Sequence, residues 1–401
     1  MRDVDVGAIR RARGAIAGVA RVTPVVGSGT LSDVVGGEVV LKAENLQRTG
    51  AFKVRGAMNT LAELGARARA GVTCGSAGNH AQALALAAHH HGVPCEIFVP
   101  AGAPISKIEA CRGFGATVTE GGASLGEAVE ASLERAGSTG MAFCHPYDDP
   151  VVVAGQGTLG LELVDDIDGL TTVLVPLGGG GLAAGTAIAV KSTLPHVRVI
   201  GVQAAACAPY AGHPAPAGPV VTLADGIAVK SPGEVTRPLV ERWVDDVVTV
   251  DEDAIADAMV LLMERAKLYV EGAGAVGAAA LLSGAVRPAT SGGTTCVVLS
   301  GGNVDLGVVP GLIRRHENEA GRRLMVFARI DDRPGGLAKL LAVFADGGAN
   351  LIEVEHVREG IDLHVRETGV HATFEVRGRD HARRLLEAAA EQGYELRAQG
   401  P

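Results

Sequence analysis

Strand-length apolar runs alternate with helical patterns along most of this chain, which confines it to parallel sheets covered by helices on both faces. The runs are VTC (72–74), CEIFV (95–99), ATVTE (116–120), MAFC (141–144), TTVLV (171–175), VRVIGV (197–202), DVVTV (246–250) and TCVVLS (295–300). Patterns such as NHAQALALAAHHH and AIADAMVLLMERAK lie between them. In sheets of this class ligands sit at the carboxyl ends of the strands. A chain of 401 residues, 47% hydrophobic, is long enough for two or three domains. Its net charge of −9 argues against nucleic acid or an anionic membrane as partner, since neither polyanion gains from an acidic surface. No run approaches membrane-spanning length, and the N-terminus lacks the sustained apolar core of a signal peptide. Six cysteines (Cys74, Cys95, Cys111, Cys144, Cys207, Cys296) are scattered without a C-x-x-C pair, the usage of reduced, packed thiols in a cytoplasmic protein.

Past His316 the pattern changes. LMVFARI, the turn DDRPGG, the helix LAKLLAVFADGG, the strands NLIEVEHVRE and VHATFEVRG, the helix DHARRLLEAAAEQG and a last strand YELR spell β-α-β-β-α-β. This order predicts a ferredoxin-like module with its helices on one face of a single sheet. RRHENEAGRR (314–323), polar and charged between two apolar patterns, is the expected hinge.

Three glycine-rich turns follow strands. Gly178, Gly179, Gly180 and Gly181 separate the run 171–176 from LAAGTAIAV, which reads as the start of a helix. Bare backbone N–H groups at a helix N-terminus form an anion cradle. Gly178, Gly180 and Ala183 fit a dinucleotide fingerprint, but the next strand ends in Gln203, and no carboxylate is placed for a ribose. A single phosphate on another cofactor fits better than NAD(P) or a bland turn. GSAGNH (75–80) places Ser76, Asn79 and His80 at a helix entrance, where a carboxylate or phosphate could bind or where Ser76 or Asn79 could cap the helix. The third turn is Ser300-Gly301-Gly302-Asn303. Lys53, one of seven lysines, follows the turn Thr49-Gly50-Ala51 at the start of a helical pattern. A helix N-terminus disfavours the cation and so favours the neutral amine that a Schiff base requires, although a surface lysine would read the same way.

Taken together, NLQRTGAFKVRGA (45–57), GSAGNHAQ (75–82), AGQGTLGLEL (154–163), VPLGGGGL (175–182), ADGIAV (224–229), EGAGA (271–275) and LSGGNVDL (299–306) resemble the threonine dehydratases, or threonine ammonia-lyases. These are pyridoxal-phosphate enzymes of fold type II, the tryptophan synthase β-like fold. The resemblance runs from about residue 15 to 316, and the tail resembles an ACT domain, as in the medium-length form of the enzyme. It implies a catalytic domain over 1–316 with a small subdomain over about 50–150 nested in it, a linker over 317–322 and an ACT domain over 323–401.

By resemblance, Lys53 would carry pyridoxal 5'-phosphate as a Schiff base, with Phe52 beside it, and later take the substrate α-proton. Gly178, Gly179, Gly180, Gly181 and Leu182 would cradle the phosphate, Asn79 would bond the 3-oxygen, and Ser300 would face the ring nitrogen. Ser76, Ala77, Gly78, Asn79 and His80 would take the substrate carboxylate. A serine at 300, not a carboxylate, leaves the ring nitrogen unprotonated, which suits elimination more than transamination. Ala77 stands where the similar serine racemases carry a second acid/base serine, so lyase chemistry is expected over racemisation. Gln203, Cys207 and Pro209 replace the acidic cation cluster of racemases, and His89–His91 point three ways from a helix, so no metal is expected. An amino-acid effector would bind Arg333, Pro334, Gly335, Gly336 and Asn350 between paired modules of a homo-oligomer, with a tetramer expected. Other readings on the same scaffold are a serine or 3-hydroxyaspartate dehydratase or racemase; a non-catalytic amino-acid sensor is disfavoured because Lys53 and all three loops are intact.

Overall fold

The computed structural model describes residues 4–289, 292–358 and 364–399. The chain divides into two compact units at Val304/Asp305. In chain order the first unit contains β1 (Val25–Gly27), β2 (Val39–Lys42), β3 (Val72–Gly75), β4 (Cys95–Val99), β5 (Thr117–Glu120), β6 (Ala142–Phe143), β7 (Leu170–Pro176), β8 (Arg198–Ala204), β9 (Asp246–Val250) and β10 (Thr294–Val298). They form a six-stranded sheet, β1-β2-β10-β7-β8-β9, and a four-stranded sheet, β5-β4-β3-β6. All neighbours are parallel except β1 and β2. The strands of the smaller sheet all lie between β2 and β7 in sequence. Each of the eight expected apolar runs is a strand. β1 and β2 lie outside those runs, because three or four residues carry too short a pattern to read.

Strands covered on both faces must be apolar nearly throughout. β10 is buried at all five positions, and β7 carries Leu170, Val173 and Val175 into the main core with Leu159, Ala183, Ile188 and Val199. Two helices over this sheet, Pro150–Asp166 and Gly181–Lys191, pack backbone to backbone. A β carbon on Gly185 would lie 2.4 Å from the Val153 carbonyl oxygen, and one on Gly157 would lie 2.8 Å from that of Gly185. The smaller sheet has its own core of Val72, Leu84, Ile97, Val99 and four cysteines. All six cysteines of the chain are free and buried; burial raises Cys95 and Cys144 to about 12 and Cys111 to about 11. Among the described residues no helix is long and apolar enough to cross a membrane.

The second unit opens with the helix Val309–Glu319. The stretch expected as a hinge is therefore helical as far as Glu319. Pro310 in its first turn and the Arg315–Glu319 pair at i,i+4 (2.8 Å) support that helix, and its charges mark an exposed face rather than a disordered join. β11 (Arg323–Asp331), helix Gly336–Asp346, β12 (Asn350–Val357), β13 (Glu367–Glu375), helix Arg379–Glu391 and β14 (Leu396–Gln399) follow. The sheet order β12-β13-β11-β14 is antiparallel throughout, which is the ferredoxin-like arrangement. Leu340, Phe344 and Leu385 from the two helices pack on Val326, Val370 and Phe374, with the Phe344 and Phe374 rings stacked at 4.1 Å.

A buried charge cluster joins three segments of the first unit. On helix Lys53–Leu64, Arg55 donates to Glu44 at 2.8 and 2.7 Å and to Glu162 at 2.6 and 2.9 Å, with Thr158 at 3.1 Å. Lys42 at the end of β2 pairs with Glu162 at 2.7 Å and donates to the Thr23 carbonyl at 2.7 Å. Burial alone would raise the Glu44 carboxyl; the Arg55 charge and hydrogen bonds overcome that and hold it below the usual range. Arg55→Met would leave Glu44 and Glu162 buried against an apolar side chain. It should cost about 3–5 kcal/mol of stability, read as a lowered urea midpoint with unchanged slope.

Candidate active site

Lys53 is set by the turn before it and by the turn after β10. Thr49 and Gly50 take positive φ (58° and 73°), Ala51 bridges to Gly301, the Phe52 N–H donates to the Ser300 carbonyl at 3.1 Å, and the Gly302 N–H donates to the Gly50 carbonyl at 2.8 Å. Lys53 then begins its helix and donates from Nζ to the Pro146 carbonyl at 2.8 Å. Burial lowers its amine to about 8, opposed by the charge of Glu271. The direction is the one expected from the sequence; its cause is removal from water.

The loop after β6 carries no motif in the sequence, yet it forms a wall of the site. His80 Nε2 donates to the Cys144 carbonyl at 2.9 Å. His145 Nδ1 accepts from the Tyr147 and Asp148 amides, and Asp148 in turn accepts from the amides of Glu234, Val235 and Thr236 at 2.8–3.0 Å. Pro146 lies against Lys53, while the Tyr147 ring lies against the glycine loop: a β carbon on Gly179 would fall 2.2–2.4 Å from its carbons. Burial, with the Lys53 charge, lowers His80 to about 3. The ring is thus kept neutral with its N–H on a carbonyl, and the His80 backbone stays at the helix entrance.

Both predicted cradles end in helices that begin at glycine without a side-chain cap. Gly180 (φ 94°) precedes helix Gly181–Lys191, and Gly78 precedes helix Asn79–His91. Neither Ser76 nor Asn79 caps the latter helix, so its first amides are open to an anion. Thr236 Oγ1 donates to the Gly179 carbonyl at 2.6 Å, and Gln203 ties the Leu177 carbonyl (3.1 Å) to the Tyr210 and Ala211 amides (3.0 and 3.1 Å), which fixes the back of the loop. Asn79 joins the second cradle to the third turn: its Oδ1 accepts from Asn303 Nδ2 at 2.6 Å, and its Nδ2 donates to Glu271 Oε1 at 2.8 Å. The structure thus brings Lys53, Asn79, the glycine loop and the 300–303 turn together through the 146–147 segment and Asn303. It adds Pro146, Tyr147, Glu271 and Asn303, of which only Glu271 and Asn303 lie in motifs noted above. An uncapped glycine loop for a phosphate, a desolvated amine for a carbonyl and a neutral hydroxyl residue after β10 fit pyridoxal phosphate.

In the second unit, a cavity of about 470 Å³ is lined by Asp331, Arg333, Pro334, Gly335, His356, Arg358 and Thr368, among others. Gly335 (φ 86°) starts the helix Gly336–Asp346, again without a side-chain cap. Asn350 does not belong with this cavity inside one chain. It pairs across the sheet with Glu375, which also faces Arg323 at the start of β11, whereas the turn follows the far end of that strand.

The site defines a pyridoxal-phosphate-dependent enzyme, and residues 16–301 match the family model of that description, pyridoxal-phosphate dependent enzyme; the chain belongs to this family. Its cofactor is pyridoxal 5'-phosphate. The chain is 42% identical over 398 residues to the L-threonine ammonia-lyase of Thermotoga maritima, covering 98% of each. It is 44% identical over 381 residues to that of Geobacter sulfurreducens, covering 93% of this chain and 94% of the relative. Among solved structures it is similar to the T.th. threonine deaminase (TM-score 0.70, 37% identity, 75% of this chain and 99% of that one). It is also similar to maize serine racemase (TM-score 0.73, 35% identity, 79% and 99%).

Only the neutral Lys53 amine can capture the cofactor's carbonyl. With the amine lowered to about 8, the capture rate of added pyridoxal phosphate by cofactor-free protein should rise about tenfold per pH unit below that value and then level off. A rate still climbing towards pH 10.5 would show an ordinary, solvated lysine.

Proposed function

We propose that this enzyme is an L-threonine ammonia-lyase, converting L-threonine to 2-oxobutanoate and ammonia, with L-serine as a second substrate giving pyruvate. The observation that carries the reading is the desolvated Lys53 amine, held at 2.8 Å on the Pro146 carbonyl among three glycine-rich turns. The names of the full-length relatives in Thermotoga and Geobacter support the choice of substrate. When bound, pyridoxal phosphate supplies an electron sink for the carbon that bears the amino group. Lys53 would hold it, with Phe52 beside it; the amides of Gly178 to Leu182 would take its phosphate, Asn79 Nδ2 its 3-oxygen, and Ser300 would serve its ring nitrogen. Ser76 and the amides of Ala77, Gly78 and Asn79 orient the substrate carboxylate. Lys53 Nζ would take the substrate α-proton and, as the ammonium so formed, would hand a proton to the departing β-hydroxyl, which leaves as water; with water, the enamine product would then give the 2-oxo acid and ammonia. Ala77 has no group that could return a proton from the opposite face, which favours the lyase over the racemase reading.

The second unit is proposed as an ACT regulatory domain taking a branched-chain amino acid in the cavity beside Arg333, Pro334, Gly335 and Gly336. Its exposed edge strand β12 favours a homo-oligomer, a tetramer in our reading, in which Asn350 would serve a paired module. The six buried free thiols accord with a cytoplasmic enzyme.

Borohydride should fix the cofactor on Lys53 in a peptide map, and L-threonine should yield 2-oxobutanoate with negligible D-amino acid from L-serine. Lys53→Ala should abolish turnover yet retain weakened cofactor binding through the glycine loop. An adduct on another lysine, or dominant racemisation, would overturn the reading. Separately, isoleucine or valine should bind the full chain by calorimetry and shift its threonine saturation curve; no heat and no kinetic change with any branched-chain amino acid would rule out that effector class.

A further inference from the structure

Glu271 is a buried carboxylate that the proposed chemistry leaves without a task. It occupies the N-cap position of helix Gly272–Leu282 but makes no side-chain cap bond. Its carboxylate instead accepts from Asn79 Nδ2 at 2.8 Å. The neighbouring backbone is shaped around it: a β carbon on Gly301 would stand 2.3 Å from Glu271 Oε1, and the Glu271 amide donates to the Gly301 carbonyl at 3.0 Å. Both polar ends of Asn79 are thereby assigned. Oδ1 is taken by Asn303, and one of the two Nδ2 hydrogens by Glu271, which leaves the second hydrogen as a donor. Asn303, held by the Thr49 carbonyl at 2.8 Å, selects which end of the amide is the acceptor, and Glu271 is the contact that holds the donor end in place; without an acceptor at 271 the amide keeps only the first of these two restraints.

We propose that Glu271 is a positioning residue for the cofactor: it fixes the Asn79 amide so that its remaining N–H serves the 3-oxygen, and its charge state is felt by Lys53. This rests on the reading that Lys53 and Asn79 hold pyridoxal phosphate. The groups facing Glu271 are Lys53, Asn79, Asn303, Asp225 and Lys107. Burial, aided by Asp225 and opposed by Asn79, Lys107 and Asn303, raises its carboxyl to about 7, so it changes charge at neutral pH. Ionised Glu271 in turn raises the Lys53 amine.

Glu271→Gln keeps the volume and the acceptor but removes the charge, whereas Glu271→Ala removes both. In Glu271→Ala the dissociation constant of pyridoxal phosphate should rise about tenfold, and combining it with Asn79→Ala should weaken binding no further than Asn79→Ala alone. Glu271→Gln should bind the cofactor within about twofold of wild type, but the absorbance of the bound cofactor should lose a titration step near pH 7 that the wild type shows. Because the Gln variant is isosteric, it carries the test if the Ala variant fails to fold. Additive losses in the double variant, or a titration step that persists in Glu271→Gln, would overturn the inference while a borohydride adduct on Lys53 leaves the parent reading intact. An adduct on a different lysine would overturn both.

Discussion

Arg55 ties its own helix to the segment after β2, eleven positions earlier, and to a helix 107 positions later, and the placement of Lys53 depends on it. The guanidinium lies two residues past Lys53 and is clamped by Glu44 from the segment after β2 and by Glu162 from the helix Pro150–Asp166. Those contacts fix where the Lys53 helix begins. The backbone bonds from Phe52 to Ser300 and from Gly302 to Gly50 then fix it against the end of β10. A charge in this position is costly to bury and is retained only with its fork of donors satisfied. The cluster therefore works as a register pin more than as a source of net stability.

The same removal from water sets the chemistry a few ångströms away. Lys53 shifts towards the neutral amine, His80 is kept neutral, and Glu271 is moved to the edge of protonation. In bulk water the first two would be largely or partly cationic and the third anionic near pH 7. A site in which each titratable neighbour gives up charge suits a cofactor that brings a phosphate dianion, because that dianion can be met by fixed amide dipoles rather than by side-chain cations.

What could be read from the sequence was local. Glycine runs after apolar strands announced the turns, because only residues without side chains tolerate the close approach of Ile227 and Tyr147 to Gly178 and Gly179. The alternation of strand and helix patterns identified both parallel sheets, and the β-α-β-β-α-β order identified the second unit. What escaped was assembled over long range. Pro146 acts through a carbonyl, which no side-chain pattern reveals, and Tyr147 matters only because β6 delivers it opposite a loop from β7. Glu271 stood in a noted motif, but its partner Asn79 is 192 positions earlier. His80 lay at the right helix entrance, yet its ring orientation was decided by Cys144. The polar stretch before Arg323 reads as a hinge on composition, where the i,i+4 spacing of Arg315 and Glu319 indicates a helix.

The six free cysteines, buried and held away from the thiolate, give the protein a property unrelated to catalysis. Four of them belong to the core of the smaller sheet, on or beside β3, β4 and β6 and on the helix before β5. Alkylating reagents and peroxide attack thiolates that meet solvent. These sulfurs become reactive only when the packed layer around Leu84 and Ile97 opens. The rate of thiol labelling is then a clock for that opening, and the smaller sheet carries its own reporter of local unfolding with no residue added.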